Sequence, residues 1–397
     1  MEKKGYSLIH VIIIIVVTSI ITGLTTGVII SKSTTSTSGV SYSQLINDEH
    51  VQDFLDVYGE IVGDYYENVN KEEMIQNAIN GMMEYLDESY TTYLDEDEAG
   101  SLMEQLNSKY EGVGITVRNG VIVNVVMNSP AEKAGVLSDD IIESVNGVSV
   151  VDKTTEEIVS MIKANAQNVI LGVLRDGAPL VFTMKVETLS VPSVSYYMTE
   201  NASIGYIQLS VFASGLSEEV ENAIKKLKEK GATKLIIDVR NNTGGYLDQA
   251  YNTASLFLEK GKTVYSLSTK NGSDKVVDKN NKSENMPIVV LVNNSTASAA
   301  EILAGALKDS YGASLVGVTT FGKGKVQHTY SLSDGGIVKY TASKWLRPNG
   351  TCVDNVGITP DFVVENEFVY DESDPEKVVV TGVIDKQYDK AIELLNS

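Results

Sequence analysis

The stretch NSTASAAEILAGALKD, from Asn294 to Asp309, places a hydroxyl group at the junction of a predicted strand and a predicted helix. Ile288 to Val292 is a short apolar run of the kind that is buried in a parallel sheet. Ser298 then precedes a run in which apolar residues recur at helical spacing: Ala299, Ile302, Leu303, Ala306 and Leu307. Unpaired N–H groups and the helix dipole at such an N-terminus stabilise the oxyanion of an acyl-transfer reaction. Taken alone, Ser298 and Glu301 also match a capping box, in which the serine only caps the helix.

A serine nucleophile needs a base to take its proton. The chain has three histidines, and two of them, His10 and His50, fall in predicted N-terminal segments. If the segment after Thr319 is extended, His328 points away from Lys323. A lysine can act as the base when burial among apolar groups lowers its pKa from about 10.4 toward neutrality. We therefore expect a Ser-Lys dyad in place of a Ser-His-Asp triad.

The loop TTFGKGKVQH, from Thr319 to His328, supplies the lysine. In an extended segment Lys323, Lys325 and Gln327 lie on one face, so Gln327 is predicted to orient the amine of the base by a hydrogen bond. Spacing alone does not select between the two lysines, and a lysine between glycines is commonly a solvated surface charge. If Lys323 is the base, Lys325 is expected to help lower its pKa as a neighbouring cation.

An oxyanion hole is predicted from a second loop, NNTGGYLDQA, from Asn241 to Ala250. A glycine pair between a buried strand and a helix lets backbone N–H groups face a ligand closely, although it is also found in ordinary tight turns. Carboxyl ends of parallel strands gather at one edge of a sheet, where ligands bind. The predicted donors are the N–H groups of Ala299 and of Gly244 or Gly245.

Composition excludes several other classes of protein. The chain has 397 residues with 43% hydrophobic content, enough for two or three domains with full cores. Lys and Arg total 32 against 53 Asp and Glu, a formal charge of −21, so nucleic-acid binding has no electrostatic support. The single cysteine, Cys352, has no partner for a disulfide or a CxxC metal site, and three histidines are few for a metal centre. We predict no metal and no cofactor.

The N-terminus predicts a membrane anchor. Lys3 and Lys4 precede Leu8 to Ile30, which are 23 residues without a formally charged side chain. As a helix this stretch would be roughly 35 Å long, against a hydrocarbon core of about 30 Å. A cleaved signal peptide is the alternative, but the apolar region is long for one and no small-x-small site stands out after it. The lysines place the N-terminus in the cytoplasm and the rest of the chain outside, as a single-pass protein of the cell membrane.

The chain as a whole is predicted to be an α+β multidomain protein: an N-terminal transmembrane helix, a helical region, a β-rich domain and an α/β core. Apolar stripes such as Val51, Phe54, Leu55 and Tyr58 predict the helical region, and LDESYTTYLDEDEA ends in a new helix near Asp95. From Ile204 onward, strands and helices alternate in the α/β rhythm. The predicted segments are 1–30 (cytoplasmic tip and anchor), 31–42 (Ser/Thr-rich linker), 43–108 (helical, packing on the core), 109–188 (the β-rich domain), 189–370 (the α/β core) and 371–397 (with a terminal helix).

The order of elements from Tyr110 to Val186 resembles a PDZ domain: YEGVGI, a strand, SPAEKAGV, a strand pair turning at Asn146-Gly147, and a helix opened by Thr154. PDZ domains hold a peptide's C-terminal carboxylate on loop amides and add the peptide as an extra strand. The resemblance implies a carboxylate loop at Gly112, Val113, Gly114 and Ile115. A departure is Asp139, where the family commonly has glycine, and it affects a turn more than the groove.

Together, LDESYTTYL, YEGVGI, DVRNNTGGYLD, NSTASAAEILAGAL and TFGKGKVQ resemble the carboxyl-terminal processing (tail-specific) protease family, in the family's order, from about Ser43 to Val364. The resemblance implies a Ser-Lys dyad endopeptidase that recognises apolar, unstructured C-termini through its PDZ domain. By motif, the roles fall on Ser298, Lys323 and Gln327, which selects Lys323 over Lys325 as the base. Thr243 and Ala300 depart from residues common in the family without removing a needed group. A homodimer is implied by the resemblance alone, and the alternative function is a catalytically silent PDZ scaffold.

Overall fold

The computed structural model describes residues 41–164, 168–281, 283–370 and 380–397. The predicted anchor, Leu8 to Ile30, and nearly all of the predicted linker lie outside these residues. Within the described ranges, no helix is both long enough and apolar enough to cross a membrane. The chain divides into two compact units, with the boundary between Tyr85 and Leu86.

The described part of the first unit is helical, as predicted, and contains α1 (Tyr42–Ile46), α2 (Glu49–Asp64) and α3 (Lys71–Tyr85). The Asp48 carboxylate caps α2 by accepting hydrogen bonds from its first free N–H groups. None of the residues described in these three helices is buried. In the predicted apolar stripe of α2, Phe54 is 50% exposed and Leu55 is 49% exposed. The stripe therefore presents apolar surface.

The second unit opens with a turn, the short strand β1 (Thr92–Leu94) and helix α4 (Glu96–Asn107). Asp95 caps α4 in a capping box with Glu98, which confirms the predicted helix start. A β-rich segment follows, with β2 (Lys109–Gly112), β3 (Ile115–Arg118), β4 (Val121–Val125), α5 (Pro130–Ala134), β5 (Ile141–Val145), β6 (Val148–Ser149), α6 (Thr155–Lys163), β7 (Val169–Arg175), β8 (Ala178–Met184) and β9 (Glu187–Ser190).

The β-rich segment has its own apolar core, and its strands run in the order β3-β4-β5-β7-β8, so β3 is an edge strand. The predicted turn at Asn146-Gly147 joins β5 to β6, and Thr154 caps α6 in a capping box, as the sequence predicts. Asp139 adopts a left-handed backbone with φ 71°, which glycine adopts more readily. Strand β2 pairs with β9, which brings the two ends of the segment together.

The remaining elements form the α/β core: β10 (Val194–Met198), β11 (Ile204–Leu209), α7 (Leu216–Glu229), β12 (Lys234–Asp238), α8 (Leu247–Ser255), β13 (Thr263–Thr269), β14 (Gly272–Val277), β15 (Ile288–Val292), α9 (Ala299–Ala306), a π-helix (Leu307–Tyr311), β16 (Ser314–Gly317), β17 (Lys325–Ser331), β18 (Ile337–Leu346), β19 (Phe362–Val363), β20 (Glu367–Tyr370), β21 (Val380–Ile384) and α10 (Lys386–Asn396). The terminal helix α10 confirms the helix predicted near the C-terminus.

The main sheet has the order β10-β11-β12-β15-β16-β19 and is parallel from β11 to β19. Alternate residues of its strands face two different apolar clusters. Ile237 and Val290 pack with α7, α8 and α9, whereas Ile236 and Val289 pack with α10. Since both faces are covered, the strands read as continuous apolar runs.

The sequence predicts that one face of helix α9 is buried. In the structure all eight residues of the helix are buried, including Glu301. A second sheet, β1-β18-β13-β14 with β17 paired to β18, lies within the same unit. Thr92 of β1 pairs with Lys339 of β18, so the turn before β1 is fixed against the hairpin of β17 and β18.

Candidate active site

Ser298 lies between the end of β15 and the start of α9, as predicted. Its backbone angles, φ 57° and ψ −119°, lie outside the regions that suit most non-glycine residues. Such strained positions cost about 1–3 kcal/mol and cluster at functional sites. The neighbouring backbone is fixed from two sides: the Ala297 N–H donates to the Asn242 carbonyl at 2.9 Å, and the Phe321 N–H donates to the Thr296 carbonyl at 2.9 Å. The surrounding structure therefore holds Ser298 in its strained conformation.

The Ser298 hydroxyl makes no cap hydrogen bond of ordinary geometry to the described residues, although its position still fits a loose capping box. Its backbone N–H donates to Oε2 of Glu301 at 2.9 Å. Of the two halves of a capping box, only this backbone half is a well-formed hydrogen bond. We infer that the partly exposed hydroxyl is available to the cleft in front of it.

The glycine pair approaches the nucleophile as closely as the predicted oxyanion hole requires. A Cβ atom on Gly244 would lie 2.8 Å from Cβ of Ser298 and 3.1 Å from the backbone nitrogen of Ala299. A Cβ atom on Gly245 would lie 2.4 Å from the Phe212 carbonyl oxygen. Their φ values, 103° and 144°, also favour glycine. Any side chain at either position would push this loop away from Ser298.

Hydrogen bonding distinguishes the two glycines, which the sequence left as alternatives. The Gly244 N–H donates to Oδ1 of the fully buried Asn242 at 2.9 Å, so it is already in use. Within the described chain, the N–H groups of Gly245 and Ala299 have no such acceptor. Free donors are what a developing oxyanion requires. The geometry therefore favours Gly245 together with Ala299.

The backbone of Lys323 is fixed by the buried side chain of Trp345, whose indole N–H donates to the Lys323 carbonyl at 2.9 Å. Burial lowers the pKa of the Lys323 amine, and the Lys339 ammonium lowers it further. A lowered pKa is what a lysine base requires, because only the neutral amine accepts a proton. The pKa of Lys323 is thus shifted in the predicted direction. The prediction that Lys325 is the contributing cation is wrong, because the cation that lowers this pKa is Lys339.

Lys325 differs from Lys323 because it forms an ion pair. Its Nζ donates to Oε1 of Glu88 at 2.9 Å, and this hydrogen bond raises the pKa of Lys325. The Glu88 carboxylate balances its charge, which is why Lys325 does not act as the depressing cation. The structure thus supplies a physical reason to favour Lys323 as the base, which spacing alone could not.

A β-bulge between Val326 and Gln327 interrupts the strand that follows the lysines. The strict alternation assumed from the sequence therefore fails after Val326. Gln327 donates to Oγ1 of Thr341 at 3.4 Å, and no hydrogen bond joins it to Lys323 in this structure. His328 is exposed but also borders the cleft, so alternation alone was not a sound reason to set it aside.

One cleft of about 840 Å³ brings the predicted site residues together. It is lined by Ser298, Ala299, Gly244, Gly245, Lys323 and Gln327. Part of its wall is apolar and comes from α4, α8 and α9: Leu102, Met103, Leu106, Leu247 and Ile302. No hydrogen bond joins Ser298 to Lys323 among the described atoms. The arrangement therefore places Ser298 and Lys323, the predicted nucleophile and base, in one apolar-walled cleft without the direct contact that proton transfer needs.

Glu301 is a site residue whose role the sequence interpretation missed. Its fully buried carboxylate accepts hydrogen bonds from the backbone N–H groups of Ser298 at 2.9 Å, Gly322 at 2.8 Å and Lys323 at 2.9 Å. It also accepts from Oγ1 of Thr320 at 2.6 Å. Burial raises the pKa of Glu301 in spite of these donors. One carboxylate therefore joins the backbones of Ser298 and Lys323. A single acidic residue in an otherwise apolar helix is the signal that pointed to it.

We expect Glu301→Ala to lower the free energy of unfolding by about 3 kcal/mol and kcat by about 100-fold, because it leaves several buried donors unpaired and releases both loops. Thermal unfolding and steady-state kinetics measure the two effects. Glu301→Gln keeps the volume and two of the acceptor sites, so we expect a smaller loss of both quantities. Equal kcat for wild type and Glu301→Ala would contradict the positioning role.

In the β-rich segment, Gly112 ends β2 and Ile115 begins β3, so Val113 and Gly114 form the connection between them. The Val113 side chain belongs to the apolar core, which leaves backbone groups to form any anion site. Gly114 has φ 89°, and a Cβ atom there would lie 2.2 Å from Cβ of Ser129. The predicted carboxylate loop is thus tightly packed beside the edge strand β3.

Models of three protein families match the chain. Residues 203–364 match peptidase family S41, residues 121–175 match the PDZ domain, and residues 23–98 match the activating protease CtpB N-terminal domain. The PDZ match begins after the predicted carboxylate loop. The predicted segment boundaries themselves stay predictions.

Relatives of known name support the same grouping. The chain is 39% identical over 315 residues to the carboxy-terminal processing protease CtpA of Bacillus subtilis (strain 168), covering 78% of this chain and 67% of the relative. It is 33% identical over 367 residues to a probable CtpA-like serine protease of Staphylococcus epidermidis (strain ATCC 12228 / FDA PCI 1200), covering 90% and 73%. A solved photosystem II D1 C-terminal processing protease aligns at 26% identity and TM-score 0.49, covering 81% and 88%.

The matches to peptidase family S41 and to the PDZ domain, together with relatives named as processing and serine proteases, show a serine-type endopeptidase of the C-terminal processing class. The chain belongs to peptidase family S41.

Proposed function

We propose that the chain hydrolyses peptide bonds by a Ser-Lys dyad with an acyl-enzyme intermediate. In the proposed reaction, the neutral Lys323 amine takes the proton of Ser298 as Oγ attacks the scissile carbonyl. The N–H groups of Ala299 and Gly245 stabilise the oxyanion. The Lys323 ammonium then protonates the leaving amine, and a water molecule hydrolyses the acyl-enzyme with Lys323 again as base. The observation that carries this proposal is the shared cleft, in which a strained serine and a lysine of lowered pKa lie together.

The substrate we propose is a protein with an unstructured, apolar C-terminus. Support comes from the edge strand β3 beside Gly114, which leaves one side open for strand addition, and from the apolar wall of the cleft. The relative from Bacillus subtilis is named a carboxy-terminal processing protease. An unfolded tail can add to β3 as a strand, whereas a folded terminus cannot.

Two substrates that differ only at the last three residues test this specificity. We expect the full-length chain in detergent to cleave an unfolded-tail substrate ending in apolar residues about tenfold faster, as kcat/KM, than the same substrate ending in aspartates, because the proposed recognition beside β3 favours an apolar C-terminus. Mass spectrometry of the products locates the cleaved bond. Equal rates for the two tails would reject recognition of apolar C-termini while leaving the peptidase activity in place.

We also propose that the chain is anchored in the cell membrane by Leu8 to Ile30, with the catalytic part outside the cytoplasm. The support is the uncharged length of this stretch and the two lysines before it. Membrane fractionation tests the anchor: the protein should stay in the pellet after a carbonate wash and enter solution with detergent. Release by carbonate alone would count against it.

A second copy of the chain is the proposed partner of the first unit. The half-exposed Phe54 and Leu55 of α2 are the support, because large apolar side chains in a row favour burial against a partner. Light scattering of the full-length chain in detergent measures the mass. A monomeric mass at micromolar concentration would exclude a stable homodimer.

A further inference from the structure

Glu88 and Tyr90 lie in the turn before β1, where Glu88 contacts Lys325 and Tyr90 contacts both Lys323 and Lys325. The Glu88 carboxylate accepts a hydrogen bond from Lys325 Nζ at 2.9 Å. The centroid of the Tyr90 ring lies 4.7 Å from Lys323 Nζ and 5.4 Å from Lys325 Nζ. Both distances are in the range of cation–π contacts. Since Lys323 has no ion pair within the described chain, the face of Tyr90 is what its amine meets.

The Glu88 carboxylate is held firmly in this turn. Besides Lys325, it accepts hydrogen bonds from Oγ1 of Thr91 at 2.9 Å, from Oγ1 of Thr341 at 2.5 Å and from the Tyr90 N–H at 3.2 Å. Its side chain is 18% exposed. Burial alone would raise the pKa of Glu88, but these hydrogen bonds and the one from Lys325 lower it to about 2. Glu88 is therefore ionised throughout the pH range of an enzyme assay.

The geometry gives the two lysines different tasks. Lys325 is bonded to a fixed carboxylate, which keeps it protonated and directed toward the turn. Among the residues that the structure describes, Lys323 has no counter-ion of its own, and Tyr90 limits where its amine can lie. Three charged groups act on Lys323: Glu88 from the turn, Glu301 from α9 and Lys339 from β18. Lys325 of β17 contacts the same Tyr90 ring as Lys323.

We propose that Glu88 and Tyr90 are positioning residues for the general base: Glu88 holds Lys325 out of the reaction, and the Tyr90 ring fixes the Lys323 amine in the cleft. The inference rests on the proposed Ser-Lys dyad. The proposed positioning role falls on the DESY turn, Asp87 to Tyr90, which lies more than two hundred residues before the lysines in the sequence. The pairing of β1 with β18 brings this turn to the lysines.

The pH dependence of kcat/KM tests the role of Glu88. The rate rises with pH as Lys323 loses its proton, so the acid limb reports the pKa of Lys323. In Glu88→Gln the unbalanced Lys325 cation should move this limb to lower pH by about 0.5 unit or more. In Lys325→Met the unbalanced Glu88 anion should move it to higher pH by a similar amount. The double variant with Glu88→Gln and Lys325→Met replaces an ion pair of zero net charge by two uncharged side chains. The acid limb of its pH profile should therefore return close to that of wild type.

Tyr90 is tested by variants that keep or remove the ring. We expect Tyr90→Leu to lower kcat about tenfold with little change in KM, because the substrate contacts remain but the base is less well placed. Tyr90→Phe keeps the ring face and should recover most of this loss. Tyr93→Leu is the matched control: it alters an aromatic residue of the adjacent strand β1, and we expect it to keep kcat within about threefold of wild type.

All variants are compared as the full-length chain in detergent, with thermal unfolding to confirm that each is folded. Shifts of the same sign in Glu88→Gln and Lys325→Met, or no shift in either, overturn the role of Glu88. Equal kcat in Tyr90→Leu and Tyr90→Phe overturns that of Tyr90. The variant Lys323→Met tests the Ser-Lys dyad separately from the positioning roles of Glu88 and Tyr90. If Lys323→Met is inactive, an unshifted acid limb in the Glu88 and Lys325 variants refutes only the positioning role. If Lys323→Met is fully active, both the dyad and the positioning roles are refuted.

Discussion

Replacing Ser298 by alanine is expected to abolish peptide-bond cleavage, with kcat lowered by at least about 10⁴-fold, because the proposed mechanism forms the acyl-enzyme on the Ser298 hydroxyl. Its backbone N–H still donates to Glu301, and alanine keeps that bond. The Gly244 loop also keeps its packing, since only an oxygen is removed. We therefore expect the variant to fold with an unchanged unfolding temperature and to bind an apolar peptide tail as the wild type does, measured by fluorescence anisotropy.

Ser295 is a matched control for Ser298, because it lies three residues earlier in the same loop. Its backbone N–H donates to Oδ1 of Asn293 at 3.2 Å, and alanine keeps this hydrogen bond. Ser295→Ala should retain activity within about threefold, as is usual for a substitution that removes no required group. Cleavage by Ser298→Ala at the wild-type rate would reject Ser298 as the nucleophile. Loss of tail binding in that variant would instead show that the substitution disturbs more than the hydroxyl.

Local patterns predicted the parts of the fold that depend on neighbouring residues. The apolar run Ile288–Val292 is a buried strand with those bounds, and Ser298 does precede a helix. Capping boxes at Asp95 and Thr154 begin helices where the sequence indicated. Each of these features is decided within a few residues by periodicity or by a side chain that pairs with a nearby N–H group.

Features of the site that depend on distant residues were not predictable in the same way. The choice between Gly244 and Gly245 depends on the Asn242 side chain, which takes the Gly244 N–H. The role of Glu301 depends on the Lys323 loop folding over its carboxylate. The bulge after Val326 depends on the pairing of β17 with β18. Sequence patterns show which residues are available, whereas tertiary contacts decide which hydrogen-bonding groups remain free to react.

Replacing Lys323 by methionine should lower kcat by about 10³- to 10⁴-fold, the size expected when a general base is lost from a serine hydrolase. Methionine keeps the length and apolar character of the lysine stem, so packing against the Tyr90 ring should survive. Lys325→Met should stay within about tenfold of wild type at the optimum pH of each variant, because the ion pair with Glu88 raises the pKa of Lys325 and makes it a poor base.

Comparing Lys323→Met with Lys325→Met shows which lysine is the general base and which acts only through its positive charge. If Lys325→Met were inactive and Lys323→Met active, the base would be Lys325, and the lowered pKa of Lys323 would reflect burial alone. A pre-steady-state burst of the first product decides what is lost in Lys323→Met: a base is needed for both acylation and deacylation, so neither burst nor turnover should appear. A burst followed by arrest would instead assign Lys323 to the deacylation step.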